Sequence, residues 1–109
     1  MKLLISGSRS ISMFDLSSHI PAETSTIITG GAKGIDSIAE IYADSHNIDK
    51  IIIRPQYNVY GRFAPLKRNE EMVDICDKVL IIWDGISKGT KYTADYAAKK
   101  NKLLKLVII

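Results

Sequence analysis

Ser25-Thr26-Ile27-Ile28-Thr29-Gly30-Gly31-Ala32-Lys33-Gly34-Ile35-Asp36 is the stretch that decides the fold. Its first five residues are a short β-branched run suited to a strand, and three glycines within the next five let the backbone turn sharply. Ile35, Ile38, Ala39, Tyr42 and Ala43 then recur at i, i+3, i+4, i+7 and i+8, the spacing that lays one helical stripe on a sheet. A strand that runs through a glycine-rich bend straight into an amphipathic helix is half of a βαβ unit.

The same alternation extends outward in both directions. Lys2 to Ser6, Lys50 to Arg54, Lys78 to Trp83 and Leu103 to Ile109 are further runs rich in Ile, Val and Leu. Several are apolar on both faces, as buried parallel strands are. Met72, Val73 and Cys76 mark a helix before the fourth run, and Thr90 to Asn101 marks one after it, with Ala94, Ala97 and Ala98 as a small packing face. Ser10 to Ile20 reads as a further, weaker helix. The order β-α-β-α-β-α-β-α-β predicts an α/β domain, a three-layer α/β/α Rossmann-like sandwich with a five-stranded, mainly parallel sheet in the order 3-2-1-4-5. In such sheets ligands settle at the carboxyl ends of the strands where the order reverses, here between the first and fourth.

With 109 residues, 46% hydrophobic and 25% charged, one domain over 1–109 with one core is expected, without repeats or linkers. Cys76 is the sole cysteine, which excludes an internal disulfide or multi-cysteine zinc site and fits a reducing, cytoplasmic setting. The apolar start, Met1 to Gly7, is too short for a signal peptide or a spanning helix, so no membrane association is expected. Lys99, Lys100, Lys102 and Lys105 carry much of the visible clustering of a net +3 charge; they read as a solvated helix end or as contacts to nucleic-acid phosphate. His19 and His46 stand alone at expected helix ends with no ligand pattern, and no metal or cofactor is expected.

Three loops follow strands and carry the polar chemistry. Gly7-Ser8-Arg9-Ser10 combines a turn, hydroxyls and a planar guanidinium suited to phosphate, or is a plain turn with a serine cap. Gly30 to Asp36 exposes backbone amides at a helix start, an anion cradle. Its glycines do not match the Walker A pattern or the dinucleotide fingerprint, so ATP hydrolysis and hydride transfer are unsupported. Asp36 is either a dipole-favoured acid or a ligand-orienting one, and Lys33 a phosphate partner or a solvated charge. Trp83-Asp84-Gly85-Ile86-Ser87-Lys88-Gly89-Thr90 is a second glycine-rich strand-to-helix junction. The expectation is that amides from these two bends converge on one anionic guest. The long aromatic stretch from Pro55 to Pro65 covers a base or sugar, or simply packs. Cys76 reads as inert packing, and Ser8, Ser10 and Ser87 lack the partners of a nucleophile.

Four pieces taken together, Gly7-Ser8-Arg9, Gly30 to Asp36, Tyr60-Gly61 through Arg68-Asn69 and Met72, and Trp83 to Thr90, resemble the SLOG superfamily, which includes the DNA-processing Smf proteins and the lysine-decarboxylase-like LOG proteins. The resemblance covers nearly the whole chain. It implies a Rossmann-like fold, self-association and binding of nucleotides or nucleotide-derived signals. In the LOG branch, which releases a base from a nucleoside monophosphate, an arginine followed four residues later by methionine precedes a P-G-G-x-G-T-x-x-E loop. Arg68 and Met72 match the first element and Gly89-Thr90 the Gly-Thr of the second. Thr93 stands where that loop has glutamate, and Gly85-Ile86-Ser87-Lys88 replaces its Pro-Gly-Gly start.

The first functional reading is therefore a module that binds a nucleotide-like small molecule through Gly7, Ser8, Arg9, Gly30, Gly31, Ala32, Gly34, Asp36, Arg68, Asp84, Gly85, Ser87, Gly89 and Thr90. The alternative is a phosphoribohydrolase acting on nucleoside monophosphates, with Arg68 as its catalytic residue and Asp36, Asp84, Glu71 or Asp95 replacing the missing carboxylate. Association with single-stranded nucleic acid is the third. A homo-oligomer is expected, since a second copy can cover an exposed apolar helix face.

Overall fold

The computed structural model describes residues 1–109. Strands β1 (Lys2–Gly7), β2 (Thr26–Thr29), β3 (Asp49–Ile52), β4 (Lys78–Trp83) and β5 (Leu103–Ile108) form one sheet in the order β3-β2-β1-β4-β5. Every pairing is parallel, with Leu4 opposite Ile28 on one side and Val79 on the other. The expected order and the expected strands are thus observed, with ends displaced by a residue or two. The buried strands follow from their composition: Leu3, Leu4, Ile5, Ile27, Ile28, Leu80, Ile81 and Ile82 are fully buried, each worth roughly 1.5–3 kcal/mol of burial.

Alternate residues feed two cores. Leu3, Ile5, Ile27, Leu80 and Ile82 meet Ile35, Ala39 and Ala43 of helix α1 (Ile35–Ser45), together with Ile11 and Leu16. Leu4, Ile28, Val79 and Ile81 meet Met72, Val73 and Cys76 of helix α3 (Ala64–Ile75) and its C-terminus, and Ala94 and Ala97 of helix α4 (Lys88–Lys99). Of the small-residue face expected on α4, Ala94 and Ala97 pack as expected and Ala98 is exposed.

The single core expected is instead two, one on each face of a sheet whose strands are buried on both sides. Two further expectations need correction. Ser10 to Ile20 is not a helix; it crosses the sheet as irregular chain, pinned by buried Ile11 and Leu16. Asp15 accepts hydrogen bonds from the Ser17 amide (3.0 Å) and hydroxyl (2.6 Å), the local alternative by which Asp and Ser compete with helix formation. The aromatic stretch after β3 is not a continuous loop either: Tyr57–Tyr60 forms a short helix, α2, and Gly61–Phe63 a 3-10 turn leading into α3, whose first turn accommodates Pro65. At the outer edge of the sheet, β5 leaves Leu104, Leu106 and Ile108 exposed. No helix is long and apolar enough to cross a membrane.

Candidate functional site

A cavity of about 450 Å³ opens at the carboxyl ends of the strands. Ser6, Gly7, Arg9 and Ser10 at the end of β1, Ala32 and Asp36 at the start of α1, and Ser87, Gly89 and Thr90 at the start of α4 all line it, so it lies where the strand order reverses. Its remaining wall is Pro65, Leu66, Arg68 and Asn69 of α3. Pro65, Leu66 and Asn69 were not among the expected site residues, because only the helical phase of α3 turns them, with Arg68, toward the strand ends.

Gly30, Gly31, Ala32 and Lys33 line a second cavity, also of about 450 Å³, together with Arg9, Arg54, Pro55 and Arg68. Gly31 and Gly89 therefore do not share a cavity, whereas Ala32 and Gly89 do. The remaining expected residues, Ser8, Gly34, Asp84 and Gly85, line neither and act as framework. A side chain on Gly34, whose φ is +78°, would run into the backbone of Ser8 and Arg9, so this glycine lets the first loop cross the start of α1.

Asp84 knits the first and third loops together. Its carboxylate accepts from the Ile86 and Ser87 amides (both 2.8 Å) and from the Ser10 and Ser87 hydroxyls (2.7 and 2.9 Å). Its own amide donates to the Ser8 hydroxyl at 3.0 Å. These bonds, the Ser87 amide foremost, hold the carboxyl well below the usual carboxylate range. The Trp83 indole donates to the Ser87 carbonyl (2.9 Å) and closes the same bend.

The second loop is organised around Asp36. The Ala32 amide donates to its Oδ2 (3.2 Å), the Gly30 amide also points to it, and the Gly31 amide donates to the Thr29 hydroxyl (3.3 Å). Part of the anion cradle expected here thus already holds the chain's own carboxylate. Open donors remain at both helix starts: the Asp36 and Ser37 amides of α1 and the Lys88, Gly89 and Thr90 amides of α4 have no partner within the chain, and no side chain caps either helix. Burial pushes the Asp36 carboxyl above its ordinary range, against the pull of the Ala32 amide and the Arg68 guanidinium.

Arg68 is buried to 7% exposure and donates to the Gly30 and Ile53 carbonyls and to the Asn69 side chain. A side chain on Gly30 would strike both Arg68 and Asp36, so the absence of a Cβ is what admits the two groups to this corner. The three ion pairs in the molecule involve Lys50, Lys67 and Lys91, which leaves Arg9 and Arg68 without a carboxylate partner within 4.0 Å. Among the carboxylates weighed as catalytic substitutes, Asp36 lines the cavity; Asp84 is tied up behind it, and Glu71 and Asp95 are exposed away from it. Thr93, fully buried, donates its hydroxyl to the Gly89 carbonyl (3.0 Å), and so serves the helix rather than the cavity.

The other candidates fall outside the site. Tyr57, Tyr60 and Phe63 are exposed and line neither cavity. Lys102 binds the Val73 and Asp74 carbonyls at the end of α3 (2.9 and 3.0 Å), Lys100 lies over the Tyr96 ring, and Lys105 reaches the His19 imidazole (3.0 Å), so the basic cluster disperses. His19 sits in a turn and stacks on Phe14, and His46 caps α1 and stacks on Tyr42. Cys76 is buried, which raises its thiol pKa, and no cluster of His, Cys, Asp and Glu could hold a metal ion.

Neither a family model, nor a curated protein, nor a solved structure matches this chain, so the site is read from its own geometry.

Proposed function

We propose that this protein binds a phosphate-bearing nucleotide or nucleotide-derived small molecule in the cavity at the strand ends. The observation that carries this reading is the meeting, in one cavity, of two guanidiniums without a carboxylate partner, Arg9 and Arg68, and the open first turn of α4 at Gly89 and Thr90. Cations and unpaired helix-start amides favour the same guest, an anion with several acceptor oxygens. Asp36, Asn69, Ser10 and Thr90 add groups suited to sugar hydroxyls, and Pro65 and Leu66 give an apolar wall for a base. Dispersal of the C-terminal lysines makes nucleic acid the weaker partner.

Thermal unfolding with a series of nucleoside monophosphates tests the reading. A ligand at a hundred times its Kd adds about 2.7 kcal/mol to stability, so the midpoint should rise, and should rise much less in Arg9→Ala. Arg9 suits this test because no ion pair ties it down. Unchanged midpoints with every nucleotide at saturating concentration would sink the proposal.

One observation favours a second reading, hydrolysis of the N-glycosidic bond: Asp36 shares the cavity with Arg68. A carboxylate beside the sugar can activate the water that adds to the anomeric carbon while the base leaves with a proton. Free base released from AMP by the wild type, and lost in Asp36→Asn with AMP still bound, is the expected outcome for an enzyme; AMP bound without base release leaves the binding module.

A further inference from the structure

The second cavity is a concentration of positive charge, and two of its four cations, Lys33 and Arg54, are not used by the site proposed above. Arg9, Lys33, Arg54 and Arg68 line it, no acidic side chain does, and none of the four has a carboxylate within 4.0 Å. Only Lys50, Lys67 and Lys91 pair with carboxylates in this molecule, with Asp44, Glu70 and Asp95; what sets these four apart is that they face one open volume. Two of these four are also held in place by backbone: Arg54 donates to the Gly31 carbonyl (3.3 Å) and Arg68 to those of Gly30 and Ile53. Oriented like charges around an open volume repel one another, and an anion between them relieves that repulsion.

The two cavities adjoin. Arg9, Ala32 and Arg68 line both, whereas Asp36 lines the first and not the second. From this shared wall we infer that the second cavity is a distinct anion subsite, so that the ligand is a nucleotide with at least two linked phosphates: one against the start of α4, the next among Arg9, Lys33, Arg54 and Arg68. The inference rests on the nucleotide-binding reading and adds the phosphate number. A monophosphate leaves Lys33 and Arg54 unused, and a diphosphate engages them.

Isothermal titration with AMP, ADP and inorganic pyrophosphate at low salt tests it, on the wild type and a Lys33→Ala/Arg54→Ala variant. Both side chains are exposed, so unfolding curves should show the variant folded. ADP should bind the wild type about tenfold or more tighter than AMP, a difference of about 1.4 kcal/mol or more. The double variant should bring ADP to the level of AMP and leave AMP within about twofold of its wild-type value. Arg54→Lys, which keeps the charge and loses the fork, should recover part of the ADP preference. Equal affinity of the wild type for ADP and AMP, or equal weakening of both by the double variant, overturns the subsite. If neither nucleotide binds, the nucleotide reading fails by itself, and pyrophosphate decides: binding that the double variant abolishes supports the subsite, and no binding overturns it.

Discussion

Asp36 and Asp84 show how one residue type takes opposite roles in neighbouring bends. Burial raises the Asp36 carboxyl above its ordinary pKa of 3.8, so the folded chain holds that proton more tightly than the unfolded chain does. Its contribution is therefore complete below about 3.8 and is lost as pH rises through the raised folded value. Asp84 has the reverse sign: its lowered folded pKa gives support that is present above 3.8 and lost as pH falls through its own value. Urea unfolding across the range from about pH 3 to about pH 7 should show Asp36→Asn with a flatter dependence than the wild type on the rising side. Asp84→Asn should be less stable than the wild type near neutrality, with the deficit narrowing toward acid. Parallel curves for all three proteins would contradict both assignments. None of this was legible in the sequence, where Asp36 read as a helix-start acid or a ligand partner and Asp84 as a ligand-binding residue or substitute catalytic carboxylate; which amide a carboxylate accepts from depends on φ and ψ.

At the scale of elements, the parallel strands were readable because burial on both faces leaves a composition that little else produces, as in Val79 to Ile82. The stretch from Ser10 to Ile20 was misread because its apolar residues suit a helix while its serines and Asp15 bond locally instead. Pro65, Leu66 and Asn69 were not expected at the site because a loop was expected up to Pro65, and a helix that begins at Ala64 rotates them into the cavity. The glycines at the two helix starts differ in kind. Gly34→Ala places a methyl 2.5 Å from the Ser8 carbonyl oxygen at a φ of +78°, and should cost about 2 kcal/mol or more. Gly89 has ordinary helical φ and nothing within 4 Å of an added Cβ, so Gly89→Ala should hold or raise stability by up to about 1 kcal/mol. Chemical denaturation of the two variants checks both, and a Gly89→Ala that loses ligand while staying folded would locate the ligand at α4.

For the whole molecule, four cations without an ion pair, Arg9, Lys33, Arg54 and Arg68, meet at the carboxyl end of the sheet. At matched ionic strength, sulfate or phosphate should therefore raise the melting temperature more than chloride does, and the excess should shrink in the Lys33→Ala/Arg54→Ala variant. Sulfate also strengthens burial generally, so the difference between variants is the informative quantity. The chain shields the sheet unevenly: two long helices cover one side, while the other has α1 and an irregular span whose Met13 stands 87% exposed. Arg9 immediately precedes that span, so whatever grips Arg9 also anchors one end of a stretch with few backbone hydrogen bonds. A protease should thus nick first near Met13, and occupancy of the neighbouring cavity should slow the cut, turning digestion time into a gauge of what the protein is holding.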